Sequence, residues 1–353
     1  MMLQLAVIGL FVLAEPPAGW EQLPGLEQTE GYAGAFAGNS NGHLLIAGGA
    51  NFPQSKPWAG GTKKWYSQVY VYEGERKRWR IVGELPRELA YGASVSYGNK
   101  VICVGGSDAQ RHYNDVFSLE YKDATFQYEE LPSLPKPLAN ASGVLIEATL
   151  YVVGGQTAAT SKSALVEVWS LDLANPESSW RKEPPLPGPG RILCMVGGRA
   201  KTDKGVAHIK SEELYVFGGV ELLESEGGVK RRYLRDTYVL RNHSQWERLP
   251  DMPIELAAGA SPLPIWEERI YVVGGDDGTQ VGKFFPEHRG FADAIWEFDL
   301  RTHAWKRIGT TPAPRVTLPA YQSGAEVYFF SGEKSPGIRS PEVWRWNLKS
   351  VVP

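Results

Sequence analysis

Six times along a chain of 353 residues, an aliphatic run stops on a pair of small residues. The copies are Leu44-Leu45-Ile46-Ala47-Gly48-Gly49, Val101-Ile102-Cys103-Val104-Gly105-Gly106, Leu150-Tyr151-Val152-Val153-Gly154-Gly155, Leu214-Tyr215-Val216-Phe217-Gly218-Gly219 and Ile270-Tyr271-Val272-Val273-Gly274-Gly275. A weaker sixth reads Val327-Tyr328-Phe329-Phe330-Ser331-Gly332. Copies about 50 to 65 residues apart indicate a radial array of units rather than one continuous core. Around each doublet the sequence supports four short strands. In the second unit these are Tyr91 to Val95, Val101 to Gly106, Val116 to Leu119 and Phe126 to Tyr128, with the turn Tyr97-Gly98-Asn99 between the first two. The doublet ends the second strand, where neighbouring backbones come close enough that a Cβ clashes. The expected fold is all-β, a six-bladed β-propeller occupying residues 19–353 as one domain.

The fourth strands carry Trp79, Trp180, Trp246 and Trp305, followed by Leu-Pro or Thr-Pro breaks. Gly-Gly, then an aromatic third strand, then Trp in fixed phase resembles the kelch repeat from about Trp20 to Leu348. The sixth unit has no fourth strand after Trp346-Asn347-Leu348, whereas Trp20-Glu21-Gln22-Leu23-Pro24 has that pattern and stands before the first inner strand. The N-terminal strand is therefore expected to complete the last blade, pairing the sheet edges that an open ring would expose.

The balance of 37 Lys and Arg against 40 Asp and Glu, net charge −3, argues against a nucleic-acid partner. The apolar run Leu3 to Ala14 is too short to span a bilayer but suits the core of a secretory signal. Residues 1–14 are thus expected to be an export signal, giving a periplasmic or otherwise exported protein, monomeric or homodimeric, without a membrane span. Cys103 and Cys194 fall in strands of non-adjacent repeats, too far apart for a disulfide, and are expected as buried thiols.

In a four-stranded meander the connections after each doublet surround one end of the central channel, which places the site there. Long insertions at Ala50 to Gln68 and Asp276 to Ala294, against the short Ser107 to Asp115, fit a binding surface on that face. The sixth unit departs from the others: Glu333 follows the doublet, and Arg339 comes six residues later across a Pro-Gly turn. A carboxylate beside a guanidinium can serve as an acid or base next to an anion binder. The same spacing also describes an ordinary loop salt bridge. Asn51, Arg111, His112, Arg191, Arg289 and Arg315 lie near the expected mouth. Arg191 and Arg315 open inner strands, where they can line the channel or pair with Glu30, Glu88 or Glu255. The run Lys230-Arg231-Arg232, flanked by Glu221, Glu224 and Glu226, reads as a solvated loop.

Gly31-Tyr32-Ala33-Gly34-Ala35-Phe36-Ala37-Gly38-Asn39-Ser40-Asn41 through Gly48-Gly49-Ala50-Asn51-Phe52, with Gly332-Glu333-Lys334-Ser335-Pro336-Gly337-Ile338-Arg339, resembles N-acetylneuraminate epimerases, the kelch-type sialic acid mutarotases. The two segments stand here in the reverse of the order found in the bacterial periplasmic enzymes, so the chain resembles a cyclically permuted branch. The resemblance implies that Glu333 accepts a proton, that Arg339 is its partner in the site and that the substrate is a small acidic sugar; the expected mechanism has Glu333 removing the anomeric proton while Arg339 holds the substrate carboxylate bidentately. By their position near the expected mouth, and not by the resemblance, Asn51, Arg111, Arg191, Arg289 and Arg315 are the candidates for substrate contacts. The family often has Arg before Ala-Tyr-Gly, where this chain has Leu89, with Arg87 as a possible substitute.

Other chemistries lack their residues. Six scattered histidines and two isolated cysteines give no metal-ligand spacing, so neither a metal nor another cofactor is expected. That also argues against a copper-radical oxidase. The doublets are not dinucleotide fingerprints, and neither sialidase Asp boxes nor a Gly-x-Ser-x-Gly elbow occurs. The expected activity is isomerisation of sialic acid anomers. A non-catalytic propeller scaffold binding a protein or glycan is the alternative, since this architecture hosts both.

Overall fold

The computed structural model describes residues 16–27, 29–202 and 210–351. The candidate signal, residues 1–14, lies outside the described residues. Six antiparallel blades are arranged as a β-propeller, and among the described residues no helix is long and apolar enough to cross a membrane. Blade I comprises Phe36–Ser40, His43–Ala47, Gln68–Glu73 and Arg78–Glu84. Blades II to V follow in chain order with the same meander. The inner strand of blade V is split into Ala260–Ser261 and Ile265–Trp266 by Pro262 and Pro264, which lack the N–H that a ladder requires.

Blade VI runs Leu318–Ser323, Glu326–Phe330 and Val343–Asn347, and its fourth strand is Trp20–Leu23. The register pairs Trp20 with Trp346 and Leu23 with Val343. Trp20 is buried, stacked on Trp346 at 5.0 Å between ring centroids and on Phe329 at 5.3 Å. The closure expected from the sequence is thus present.

Among the described residues the apolar core falls into seven clusters, six of them each lying between two neighbouring blades and a small seventh, Ile192, Val220, Leu222 and Ala257, at the mouth. Phe36, Leu45 and Val69 of blade I, for example, pack on Val101, Phe117 and Leu119 of blade II. This is the burial logic of a repeat whose units stack face to face. The recurrent tryptophans fasten the outer edges. Trp79, Trp180, Trp246 and Trp305 donate their indole N–H to the carbonyls of Pro24, Pro132, Pro184 and Pro250, at 2.7, 2.7, 2.9 and 3.2 Å. Each bond reaches back to the preceding blade, which explains why Trp and the Pro break recur in phase.

The doublets fasten the inner edges. The second residue of each donates its N–H to the carbonyl just before the next blade's inner strand. The pairs are Gly49 to Leu89, Gly106 to Leu138, Gly155 to Arg191, Gly219 to Leu256, Gly275 to Arg315 and Gly332 to Tyr32, at 2.8 to 2.9 Å. At Gly105, φ is +62° and a Cβ would stand 2.3 Å from the Leu138 carbonyl oxygen, so no larger residue fits that contact. Ser331 is the exception, at φ +52°. Its hydroxyl accepts from the Tyr32 N–H at 2.6 Å and donates to the Ser340 carbonyl at 2.7 Å, which offsets the strain. Cys103 and Cys194 are buried free thiols.

Trp20→Ala should remove the aromatic filling of the closing blade and lower the unfolding free energy by about 3–5 kcal/mol, read from denaturant titration.

Candidate active site

The residue after each doublet bridges to the residue that leads into the inner strand of its own blade: Ala50 to Ala33, Ser107 to Ala90, Gln156 to Ala139, Val220 to Ile192, Asp276 to Ala257 and Glu333 to Val316. These are equivalent positions of a ring around the channel mouth. One layer deeper, backbone bonds run from blade to blade around the axis: Tyr91 N–H to Gly34, Asn140 to Tyr91, Leu193 to Asn140, Ala258 to Leu193 and Thr317 to Ala258, at 2.7 to 2.9 Å. The mouth holds a cavity of about 750 Å³ lined by both layers and by the loops above. Of the six ring positions only two are ionisable, Asp276 and Glu333, and they belong to adjacent blades. A lateral groove of about 930 Å³ on the flank of blade I, lined by Tyr32, Tyr66 and Tyr70, lies outside this convergence.

Glu333 and Arg339 are cross-strand partners in a short ribbon, Glu333–Ser335 with Ile338–Arg339. Arg339 Nη1 donates to Glu333 Oε1, and the Gly337 N–H donates to the same oxygen at 2.7 Å. The turn requires glycine: Gly337 has φ +82°, and a Cβ there would stand 2.5 Å from the Pro57 ring. Arg339 is further held by its Nε donating to the Ala50 carbonyl at 3.2 Å and by the Phe52 ring 5.3 Å from its guanidinium carbon. Its side chain is 2% exposed, against 17% for Glu333. The guanidinium is therefore enclosed, while the carboxylate keeps access to the cavity.

Two insertions support this ribbon from either side, because blade VI lies between blades V and I. Trp58 of the blade I insertion meets Phe284 and Phe285 of the blade V insertion at 5.9 and 6.5 Å. Ser335 contacts buried His288 of the blade V insertion, Oγ to Nδ1 at 3.3 Å. Burial lowers the His288 pKa, while Asp276 and Glu333 oppose that shift.

The other expected residues separate into two groups. Arg111 lines the cavity, its guanidinium carbon 4.8 Å from the centre of the Tyr113 ring. His112 also lines it, with Nδ1 3.1 Å from the Gln156 carbonyl. Asn51 is buried, donating to the Gly31 carbonyl at 3.1 Å and accepting from the Tyr66 hydroxyl at 2.8 Å, and it faces the lateral groove. Arg289 stands on the outer rim beside Gln280.

Arg191 and Arg315 do not line the channel. Arg191 is fully buried, forked onto Asp236 at 2.7 and 2.9 Å, and donates to the Gly218 carbonyl at 2.9 Å. Arg315 pairs with Glu342 and donates to the Ser331 carbonyl at 2.8 Å. Both occupy the position held by Leu89, Leu138 and Leu256 in other units, where the carbonyl takes the doublet N–H and the side chain turns into the blade. Leu89 itself packs on Gly106 and is buried, while Arg87 pairs with Asp115 outside the cavity.

Sequence reasoning missed three features of the mouth. Lys230-Arg231-Arg232 is solvent-exposed as expected but is not a loop. It belongs to the strand Gly228–Arg241, which with Lys210–Ser225 extends blade IV beyond its doublet. Arg231 and Tyr233 thereby reach the cavity, and the Tyr233 hydroxyl donates to Asp276. Burial, then that carboxylate, pushes the Tyr233 pKa up, so the hydroxyl is protonated at neutral pH. The third feature is Lys63, which lies among the Phe52, Trp65 and Tyr91 rings. No polar-apolar alternation marks Lys230 to Tyr233 as strand, and nothing marks Lys63.

Removing the partner of the buried Arg191, as in Asp236→Ala, should lower stability by about 3–5 kcal/mol in denaturant titration. Burial also lowers the His112 pKa below its unfolded value of about 6.5. Its contribution is fully present above that value and is lost as pH falls through the depressed folded pKa. His112→Gln should therefore flatten the acid-side decline of the melting temperature.

Residues 14–127 match the family profile described as N-acetylneuraminate epimerase. Among curated proteins, the chain is similar to the N-acetylneuraminate epimerases of Haemophilus influenzae (strain PittEE), 42% identical over 117 residues, and of Pasteurella multocida (strain Pm70), 38% over 109. That of Salmonella typhi is 43% identical over 111 residues. The matches cover 29%, 28% and 28% of this chain and 31%, 29% and 28% of those proteins respectively. The chain is thus matched over less than a third of the length of these relatives.

Proposed function

We propose that this propeller, similar in its first third to N-acetylneuraminate epimerases, is an isomerase that interconverts the α and β anomers of N-acetylneuraminate or a related keto-acid sugar. The observation that carries the reading is Glu333: of the two ionisable ring positions, it alone is held by a guanidinium and a backbone N–H with its remaining edge open to the cavity. A carboxylate fixed in direction is what proton abstraction requires.

The anomeric carbon of such a sugar carries a hydroxyl and a carboxylate. Glu333 takes the proton of the anomeric hydroxyl as the bond from that carbon to the ring oxygen breaks, and the ring oxygen gains a proton. That proton comes from solvent at the open mouth, while the Tyr233–Asp276 pair, from blades IV and V, faces the same cavity. The freed carbonyl rotates, the hydroxyl closes on its other face, and the protons return by the reverse transfers. Arg339 keeps the Glu333 carboxylate aimed through this cycle.

On this reading the chain is a cyclically permuted relative, with the Glu333 segment after rather than before the segment around Gly31 to Phe52. A collinear match confined to residues 14–127 suits that arrangement. The apolar run Leu3 to Ala14 then serves export to a compartment such as the periplasm.

The test is anomer exchange of N-acetylneuraminate followed by NMR after sialidase release of the α form. The protein should accelerate exchange over the spontaneous rate, and Glu333→Gln should reduce that acceleration about 100-fold or more in a variant that still unfolds cooperatively, at a lower melting temperature because Arg339 loses its counterion. A wild-type rate equal to the spontaneous one favours a binding scaffold.

A further inference from the structure

We infer that Lys63, set in a box of Phe52, Trp65 and Tyr91, is the subsite for the carboxylate of an acidic sugar; the inference rests on the reading above and names the group that orients the substrate. Its ammonium lies 5.9, 5.4 and 5.1 Å from the centres of those three rings. Lys63 and all three rings line the channel-mouth cavity that also holds Glu333. Among the described residues it forms no salt bridge. Ring faces attract an ammonium but offer it no hydrogen-bond acceptor of carboxylate strength, so its N–H donors remain available.

The other cations at the mouth are differently placed. Arg339 is enclosed, its side chain 2% exposed, with Nη1 on Glu333, Nε on the Ala50 carbonyl and one face on Phe52, so it presents little of its fork to a second carboxylate. Arg111 is stacked on Tyr113, and Asp108 and Asp115 both act on its charge. Arg231 is exposed on the blade IV extension and acts on Tyr233, the donor to Asp276.

Phe52 joins the two halves of the site, because Lys63 and Arg339 rest on the same ring at 5.9 and 5.3 Å from its centre. The substrate carboxylate and the hydroxyl that Glu333 deprotonates share the anomeric carbon, so on this reading Lys63 and Glu333 address the same end of the sugar from the two sides of one cavity. Trp65 and Tyr91 add apolar faces on which a pyranose ring can stack. Lys63 enters this position through the antiparallel pairing of Ala50–Asn51 with Lys64–Trp65 in the blade I insertion. It binds and orients; it transfers no proton.

The experiment measures binding of N-acetylneuraminate and of its uncharged methyl ester to the full chain by calorimetry. The wild type should prefer the acid about tenfold or more. Lys63→Met should erase the preference by weakening the acid alone, Lys63→Arg should largely restore it, and KM should rise more than kcat falls. Retention of the wild-type acid-to-ester ratio in Lys63→Met, or no preference in the wild type, overturns the assignment. Accelerated anomer exchange together with an unchanged ratio in Lys63→Met leaves the isomerase reading standing and sinks only the subsite. Acid preference erased by Lys63→Met without any accelerated exchange does the reverse.

Discussion

Everything in this molecule depends on one backbone contact made six times, the N–H of the second doublet residue given to the carbonyl that leads into the next blade. The contact demands an approach so close that the preceding residue can scarcely carry a side chain, and it fixes the angle at which each blade meets its neighbour. It also determines where side chains go. The residue supplying the carbonyl turns inward to the blade, as Leu89, Leu138, Leu256, Arg191 and Arg315 all do. The residue following the doublet stands at the mouth. Chemistry at the mouth is thereby limited to a few backbone-defined positions and to whatever the loops bring over them.

Blade VI uses that scheme differently. Ser331 replaces the first glycine, and its hydroxyl ties Tyr32 and Ser340 together, so the short ribbon carrying Glu333 and Arg339 is anchored at its base. The blade I and blade V insertions then flank the ribbon, and Pro57 packs against Gly337. A carboxylate held in this way loses little orientational freedom when a ligand arrives, since its direction is set by groups that are themselves fixed. In the aromatic box beside it, Phe52 and Trp65 come from the blade I insertion and Tyr91 from the entry to blade II, while blade VI supplies the charged pair.

The fold was legible because the doublets, the tryptophans and the proline breaks repeat in phase, so each copy interprets the others. The closure by Trp20–Leu23 followed from the same comparison, as a strand missing at one place and surplus at another. Glu333 and Arg339 stood out for the opposite reason, as a departure from the repeat, and the ribbon places them together. The arginines were misjudged where position within the unit mattered more than residue type. Arg191 and Arg315 sit where leucine sits elsewhere, and their counterions, Asp236 and Glu342, lie in strands or turns that spacing alone does not bring near. Lys63 was invisible because its insertion has no counterpart in the other units, so its place among three rings depends on how that loop folds over Phe52 and Tyr91.

The pairing of Trp20 with Trp346 has a consequence for how the protein comes into being. A ribosome releases the first of these strands long before it has made the second, and until both exist the ring has a gap with two unsatisfied sheet edges. Blades I to V can condense in order of synthesis, each on the one before. The final stitch must wait, and during that interval the stack of Trp20, Phe329 and Trp346 is not yet assembled, leaving an adhesive aromatic surface that other chains can reach. The step that seals the ring is therefore also the step that ends the molecule's period of greatest exposure to aggregation.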